Sequence, residues 1–267
     1  MDKKRLIYIV LGVCIALPTA LQAQEIVSNE TTREQVAEMR VNAGYHQSFN
    51  YGMGLSIEEE VRACLGGTSP AAFSRAYTTV AFDYEPIEYL NLEAGYTLKI
   101  YGNKGWNDPK EYIRHRAFVS ATGQVKIDRW KLSLRERLLV DCRTDSVNPD
   151  EKNAVDLSMR HRLQATYSMF SKPLKFHIGI EFANTLNAPT EYLNACSTTQ
   201  YGQYLSHIRP EVGMRWRIDK RNSIALTYRF DYGYKRDLNI KRKSGNMELT
   251  NAYQYNHLII LSYRFNN

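Results

Sequence analysis

After its first two dozen residues the chain has no long hydrophobic run, and it has only four cysteines and eight prolines in 267 residues. The one apolar stretch of note, residues 6–17, is twelve residues long. A helix needs about 20 residues to cross a bilayer, so a helical membrane protein is excluded. Cys14 lies inside that stretch, which leaves Cys64, Cys142 and Cys196. Three cysteines cannot all pair within one chain, and they read as unpaired packing residues. Asp-rich calcium loops and glycine-rich phosphate loops are missing, and no histidine has a ligand spacing specific for metal. No metal and no cofactor is therefore expected. The net charge is +7, but the basic residues are scattered and form no stripe, so nucleic acid is not an expected partner.

The N-terminus has the form of an export signal. Met1-Asp2-Lys3-Lys4-Arg5 is basic, the apolar run follows, and residues 18–23 supply small side chains for a peptidase. The expected cut falls after Ala23, although Leu21 departs from the usual small residue three places before a cleavage site. No cysteine stands at the cut, which argues against a lipoprotein. Residues 1–23 are thus expected to be a signal peptide and 24–267 a single domain. The mature chain keeps 32 basic and 27 acidic residues, a surplus of five.

From residue 36 onward, apolar and polar side chains alternate. Val155, Leu157, Met159, Leu163, Ala165 and Tyr167 share one face, with His161 among them; Asp156, Ser158, Arg160, Arg162, Gln164 and Thr166 share the other. A period of two specifies a strand. Eleven such segments run near 36–48, 53–64, 73–84, 90–102, 110–126, 129–143, 154–169, 174–187, 203–218, 222–237 and 247–265. They far exceed the common strand length of about 5–6 residues. Tight connections alternate with longer ones such as 103–109, 144–153 and 188–202. Long strands joined by alternately short and long loops are expected of an all-β transmembrane barrel of the bacterial outer membrane. Such barrels have even strand numbers. The expectation is therefore about twelve strands with a weak first one in 24–35, or ten if 36–48 is not a strand.

Alternation does not say which face meets lipid, but charge does. An arginine or lysine facing lipid at the midplane costs about 2–4 kcal/mol, whereas inside a barrel it can pair. The charged faces are expected to point inward and the apolar faces outward, with many of the 19 tyrosines at headgroup level. Outer-membrane lipids, including lipopolysaccharide, are then the expected surroundings. The closing strand ends in Tyr263-Arg264-Phe265-Asn266-Asn267. This resembles a C-terminal signal for the barrel assembly machinery, blunted by the two asparagines.

Four strands carry Arg-x-Arg: Arg114 with Arg116, Arg135 with Arg137, Arg160 with Arg162, and Arg215 with Arg217. Each pair shares a face at about 7 Å spacing. Glu58, Glu60, Glu93, Glu181 and Glu211 have inward parity and are the expected partners, since a guanidinium fork fits a carboxylate. These thirteen residues form an expected lumen charge network, which either locks and partly plugs the barrel or makes an anion-selective constriction or a site for an acidic ligand. On the strands 132–138 (LSLRERL), 158–163 (SMRHRL) and 257–265 (HLIILSYRF), the chain resembles a family of outer-membrane barrels of unknown function found in Bacteroidetes. The resemblance implies a location and a fold, and no activity. An enzymatic alternative rests on Glu136 and His161, which both interrupt an apolar face and fall opposite each other if the loop between them is symmetric. No serine shares that face, since Ser133 and Ser158 have inward parity. A loop-based binding alternative rests on the basic stretch 238–244.

Overall fold

The computed structural model describes residues 30–66, 71–102, 112–144, 152–169, 173–189, 203–240 and 247–267. The expected signal peptide, Cys196 and residues 241–244 of the basic stretch lie outside these. Eleven strands follow one another: β1 (Glu30–Ser48), β2 (Met53–Gly66), β3 (Ala71–Ile87), β4 (Leu90–Tyr101), β5 (Ile113–Ile127), β6 (Trp130–Arg143), β7 (Val155–Ser168), β8 (Leu174–Thr185), β9 (Tyr204–Arg217), β10 (Asn222–Ile240) and β11 (Met247–Asn266). Each pairs antiparallel with the next, and β1 pairs in parallel with β11, closing the sheet into a barrel. Among the described residues no helix is long and apolar enough to cross a membrane; strands are a separate matter.

The expected strand count of twelve, or ten, is corrected to eleven among the described residues. Residues 30–35 are not a separate weak strand but the first third of β1, and residues 36–48 are its continuation. An even number is required only when every neighbour is antiparallel. Here β1 and β11 run in the same direction, registered from Glu30 opposite Thr250 to His46 opposite Asn266, and the parity constraint disappears. The two terminal asparagines take part in this seam: the Asn267 amide donates to the His46 carbonyl at 2.9 Å.

Local chemistry explains the tight turns. Between β1 and β2, Tyr51 and Gly52 have φ of 64° and 71°. A Cβ on Gly52 would stand 2.5 Å from the Glu85 carbonyl oxygen, so only glycine fits there. Asp128 makes the β5–β6 turn at φ 52°, a region aspartate tolerates. Before β10, Asp219 Oδ1 accepts from the amides of Arg221 (2.7 Å) and Asn222 (2.8 Å), and Oδ2 accepts from the Asn222 side chain (2.7 Å).

The barrel wall is reversed relative to a soluble protein. Ile178, Val119 and Val212 are 62, 54 and 53% exposed, whereas Glu181, Lys99 and Glu211 are 2, 3 and 4% exposed. Exposed Leu226, Leu163, Val61 and Ile259 belong to the same outer band. Aromatic rings gather at both ends of it. At the tight-turn end Trp130 packs on Tyr167 (5.0 Å) and Tyr45 stacks on Phe265 (5.8 Å). At the long-loop end Tyr234 stacks on Tyr253 (5.0 Å) and Tyr232 meets Tyr255 (5.4 Å). Inside, Ala81, Phe118 and Leu139 form a small buried apolar cluster. Gly95 makes room for it, because a Cβ there would lie 2.4 Å from the Phe118 ring.

Candidate functional site: the charged lumen

Because side chains alternate across each strand, every second residue of eleven strands is delivered to one enclosed space. The resulting cavity is about 1140 Å³. Its lining begins at the tight-turn rim, with Phe49, Met53 and Asn91, and runs inward to Tyr101, Arg116 and Arg160. Thirteen arginines and lysines line it against nine carboxylates; a tenth, Asp141, lies behind Lys99 and Arg116 and pairs with both. The lumen therefore carries a positive surplus of three.

The carboxylates are shared between guanidiniums. The Glu211 side chain, wholly shielded from solvent, accepts from Arg162 and from Arg229 Nε and Nη2 at 3.0 and 2.7 Å. Glu181 gives one oxygen to Arg135 and the other to Arg209, both at 3.0 Å. Arg209 turns its Nε to Asp231 at 3.0 Å, and Asp231 also meets His207 Nδ1 at 2.8 Å. Glu93 accepts from Arg137 at 2.5 Å and from the Ser120 hydroxyl at 2.9 Å, while the Arg137 guanidinium lies 4.3 Å over Phe118. On β1 and β2, Arg40 pairs with Glu38, and Arg62 pairs with Glu60 and stacks on Tyr77.

Of the thirteen lumen residues expected from sequence, Arg116, Arg135, Arg137, Arg162, Glu60, Glu93, Glu181 and Glu211 are in ion pairs. Arg114 instead stacks over Tyr101 at 5.2 Å. Glu58 meets the Asn42 amide at 3.5 Å. Arg160 and Arg215 line the cavity with no carboxylate within 4.0 Å among the described residues. Arg217, at the end of β9, is exposed at the rim and outside the network. The acidic partners outside the expected set include Asp141, Asp231 and Glu38. Parity could have found them: Asp141 shares a face with Arg137, Asp231 with Arg229, and Glu38 with Arg40.

Glu136 and His161 are directly opposed across β6 and β7, and the His161 Nδ1 meets a carboxylate oxygen of Glu136 on the outer face. The other ring nitrogen of His161 stands 3.4 Å from the Asn184 amide nitrogen, so the histidine is held between two neighbours and neither is a hydroxyl. The other two outward histidines, His115 and His257, are hydrogen-bonded to Tyr96 and Tyr228. Cys64 and Cys142 are free thiols. Among the described residues no three His, Cys, Asp or Glu side chains are grouped to hold a metal ion.

Fold and site together define a class: a closed β-barrel with an apolar exterior and an interior of shared ion pairs. The family model described as "Protein of unknown function (DUF2490)" matches residues 38–241, and the chain belongs to that family. No curated protein matches it.

Proposed function

We propose that the chain is exported, sheds residues 1–23 and inserts in the outer membrane of a Gram-negative bacterium as a narrow channel whose charge-paired lumen favours small anions. The supporting observation is the inversion of the wall, with Ile178 and Val212 open to the surroundings while Glu181 and Glu211 are enclosed. In water, that outer band would expose far more contiguous apolar surface than a soluble monomer carries. Against acyl chains it is the favoured arrangement, and the aromatic rims sit where headgroups would be. Lipid and lipopolysaccharide then surround the wall, and the assembly machinery is met by β11. The positive surplus in the lumen raises the local anion concentration and gives the channel its preference.

Lipid modification is the weaker reading. Glu136, His161 and Asn184 supply a base and groups that orient it, but the histidine has no hydroxyl or thiol bonded to it that could attack an ester.

The test is refolding of residues 24–267 into detergent, then reconstitution in planar bilayers under a potassium chloride gradient. A reversal potential of the chloride sign is expected, reduced in Arg135→Gln. A protein that folds and stays monomeric without detergent refutes the membrane reading. Inserted, folded protein with no conductance refutes the channel.

A further inference from the structure

The cross-strand register places arginine opposite arginine at two successive levels of the inner wall. Arg135 faces Arg162, and Arg137 faces Arg160, across β6 and β7. Like charges directly opposed in a sheet destabilise it unless something of opposite sign lies between them. Three of the four find a carboxylate on another strand: Glu181 for Arg135, Glu211 for Arg162 and Glu93 for Arg137. Arg160 does not. Its neighbour on the next strand is Ala183, where an acid would be needed. Glu181, two residues away, already gives each oxygen to another guanidinium.

The same four arginines carry unused donors. The Nε atoms of Arg135, Arg137, Arg160 and Arg162 are all closed off from solvent and have no acceptor among the described residues. A buried guanidinium N–H without an acceptor is costly, and each such group calls for an explanation. Arg160 lines the cavity, as do the other three. On the arc from β6 to β10, Arg135, Arg160, Arg162, Arg209 and Arg229 face Glu181, Glu211 and Asp231. These five positive charges against three negative leave two uncompensated around Arg160, and Arg215, nearer the tight-turn rim of the same arc, adds a third.

We propose that this arc is a binding site for a compact oxyanion of about two negative charges, inorganic phosphate or a phosphomonoester, anchored by Arg160 and reached from the tight-turn end of the lumen. A phosphate carries about −1.5 to −2 at neutral pH and presents several acceptor oxygens, which match both the residual charge and the fork of a guanidinium. A monocarboxylate or chloride satisfies only part of either. The site deepens the channel reading by naming a ligand class for the lumen, and it can stand or fall separately.

The experiment is titration of the detergent-folded mature barrel with inorganic phosphate, glycerol phosphate, acetate and chloride, followed calorimetrically at low ionic strength. Saturable binding of one phosphate per barrel is expected, with acetate and chloride at least tenfold weaker. Competition between phosphate and glycerol phosphate identifies the preferred source of the phosphoryl group. Arg160→Gln is expected to weaken phosphate binding tenfold or more. Arg217→Gln, which removes the same charge at the exposed rim, leaves it unchanged. Should Arg160→Gln not refold, Arg160→Lys is read in its place; it keeps the charge without the fork, and a smaller but measurable loss is expected. Equal losses in the position 160 and 217 variants would reduce the effect to diffuse attraction and overturn the site, as would absence of saturable phosphate binding to the wild type. A barrel that conducts anions without binding phosphate removes the site and leaves the channel. A silent barrel that binds phosphate does the reverse.

Discussion

Replacing Glu211 by glutamine gives a quantitative measure of how dry the lumen is. The side chain has no solvent exposure and holds Arg162 on one oxygen and the Nε and Nη2 of Arg229 on the other. Glutamine keeps the shape but offers one acceptor where there were two, and it turns an NH2 group toward a guanidinium. Losing one partner of a buried ion pair costs about 3–5 kcal/mol, mostly because the remaining charge is left uncompensated. Two guanidiniums are affected, so Glu211→Gln is expected to lower stability by at least about 3 kcal/mol. The internal standard is the pair of Lys235 and Asp237, whose side chains are 58 and 38% exposed. There Asp237→Asn is expected to cost under about 1 kcal/mol. The assay is reversible urea unfolding of the refolded barrel, followed by tryptophan fluorescence and compared at unchanged denaturant slope. If both variants lose the same small amount, the lumen is hydrated enough to screen its charges, and structural locking by ion pairs is wrong.

Three further outcomes follow from the geometry. Met39 and Ile259 are register partners across the parallel seam, so Met39→Cys with Ile259→Cys, in a chain cleared of its other cysteines, is expected to form a disulfide that changes gel mobility of the folded barrel. Its absence under oxidation would argue for a different closure and strand number. Replacing His161 alone with leucine strands Glu136 on the outer face and is expected to cost about 3–5 kcal/mol, whereas Glu136→Leu with His161→Leu together is neutral or stabilising in the same unfolding assay. A double variant as damaged as the single one would show that the pair does more than satisfy itself. At the β9–β10 turn, the Asn222 side-chain amide, followed by the backbone amides of Arg221 and Asn222, holds the Asp219 carboxyl below its usual range. A depressed carboxyl stabilises above its unfolded pKa and loses that contribution as pH falls through the folded value. Protection of the Asn222 amide from hydrogen exchange, corrected for intrinsic rate, should therefore fall in that acidic window in the wild type and be low throughout in Asp219→Ala. A pH-independent protection factor in the wild type would refute the assignment.

The sequence by itself determined that the chain forms long strands, where they turn, and which side chains share a face. These are local properties. A strand places successive side chains on opposite faces, so Leu163 and Arg162 had to part company whatever the rest of the chain did. Glu136 and His161 were also legible as partners, because a single hairpin fixes their register. The tertiary structure alone decided closure and partner choice. Whether β1 meets β11 in parallel depends on contacts more than 200 residues apart, and residues 30–35 carry too little alternation to reveal a strand edge. Arg162 sits two strands away from Glu211, and Arg137 two strands from Glu93, distances set by the tilt and stagger of the whole barrel and not by spacing along the chain. That is why parity could assign Arg160 to the interior, while only the closed sheet could show it opposite Arg137, beside Ala183, with no carboxylate within 4.0 Å among the described residues.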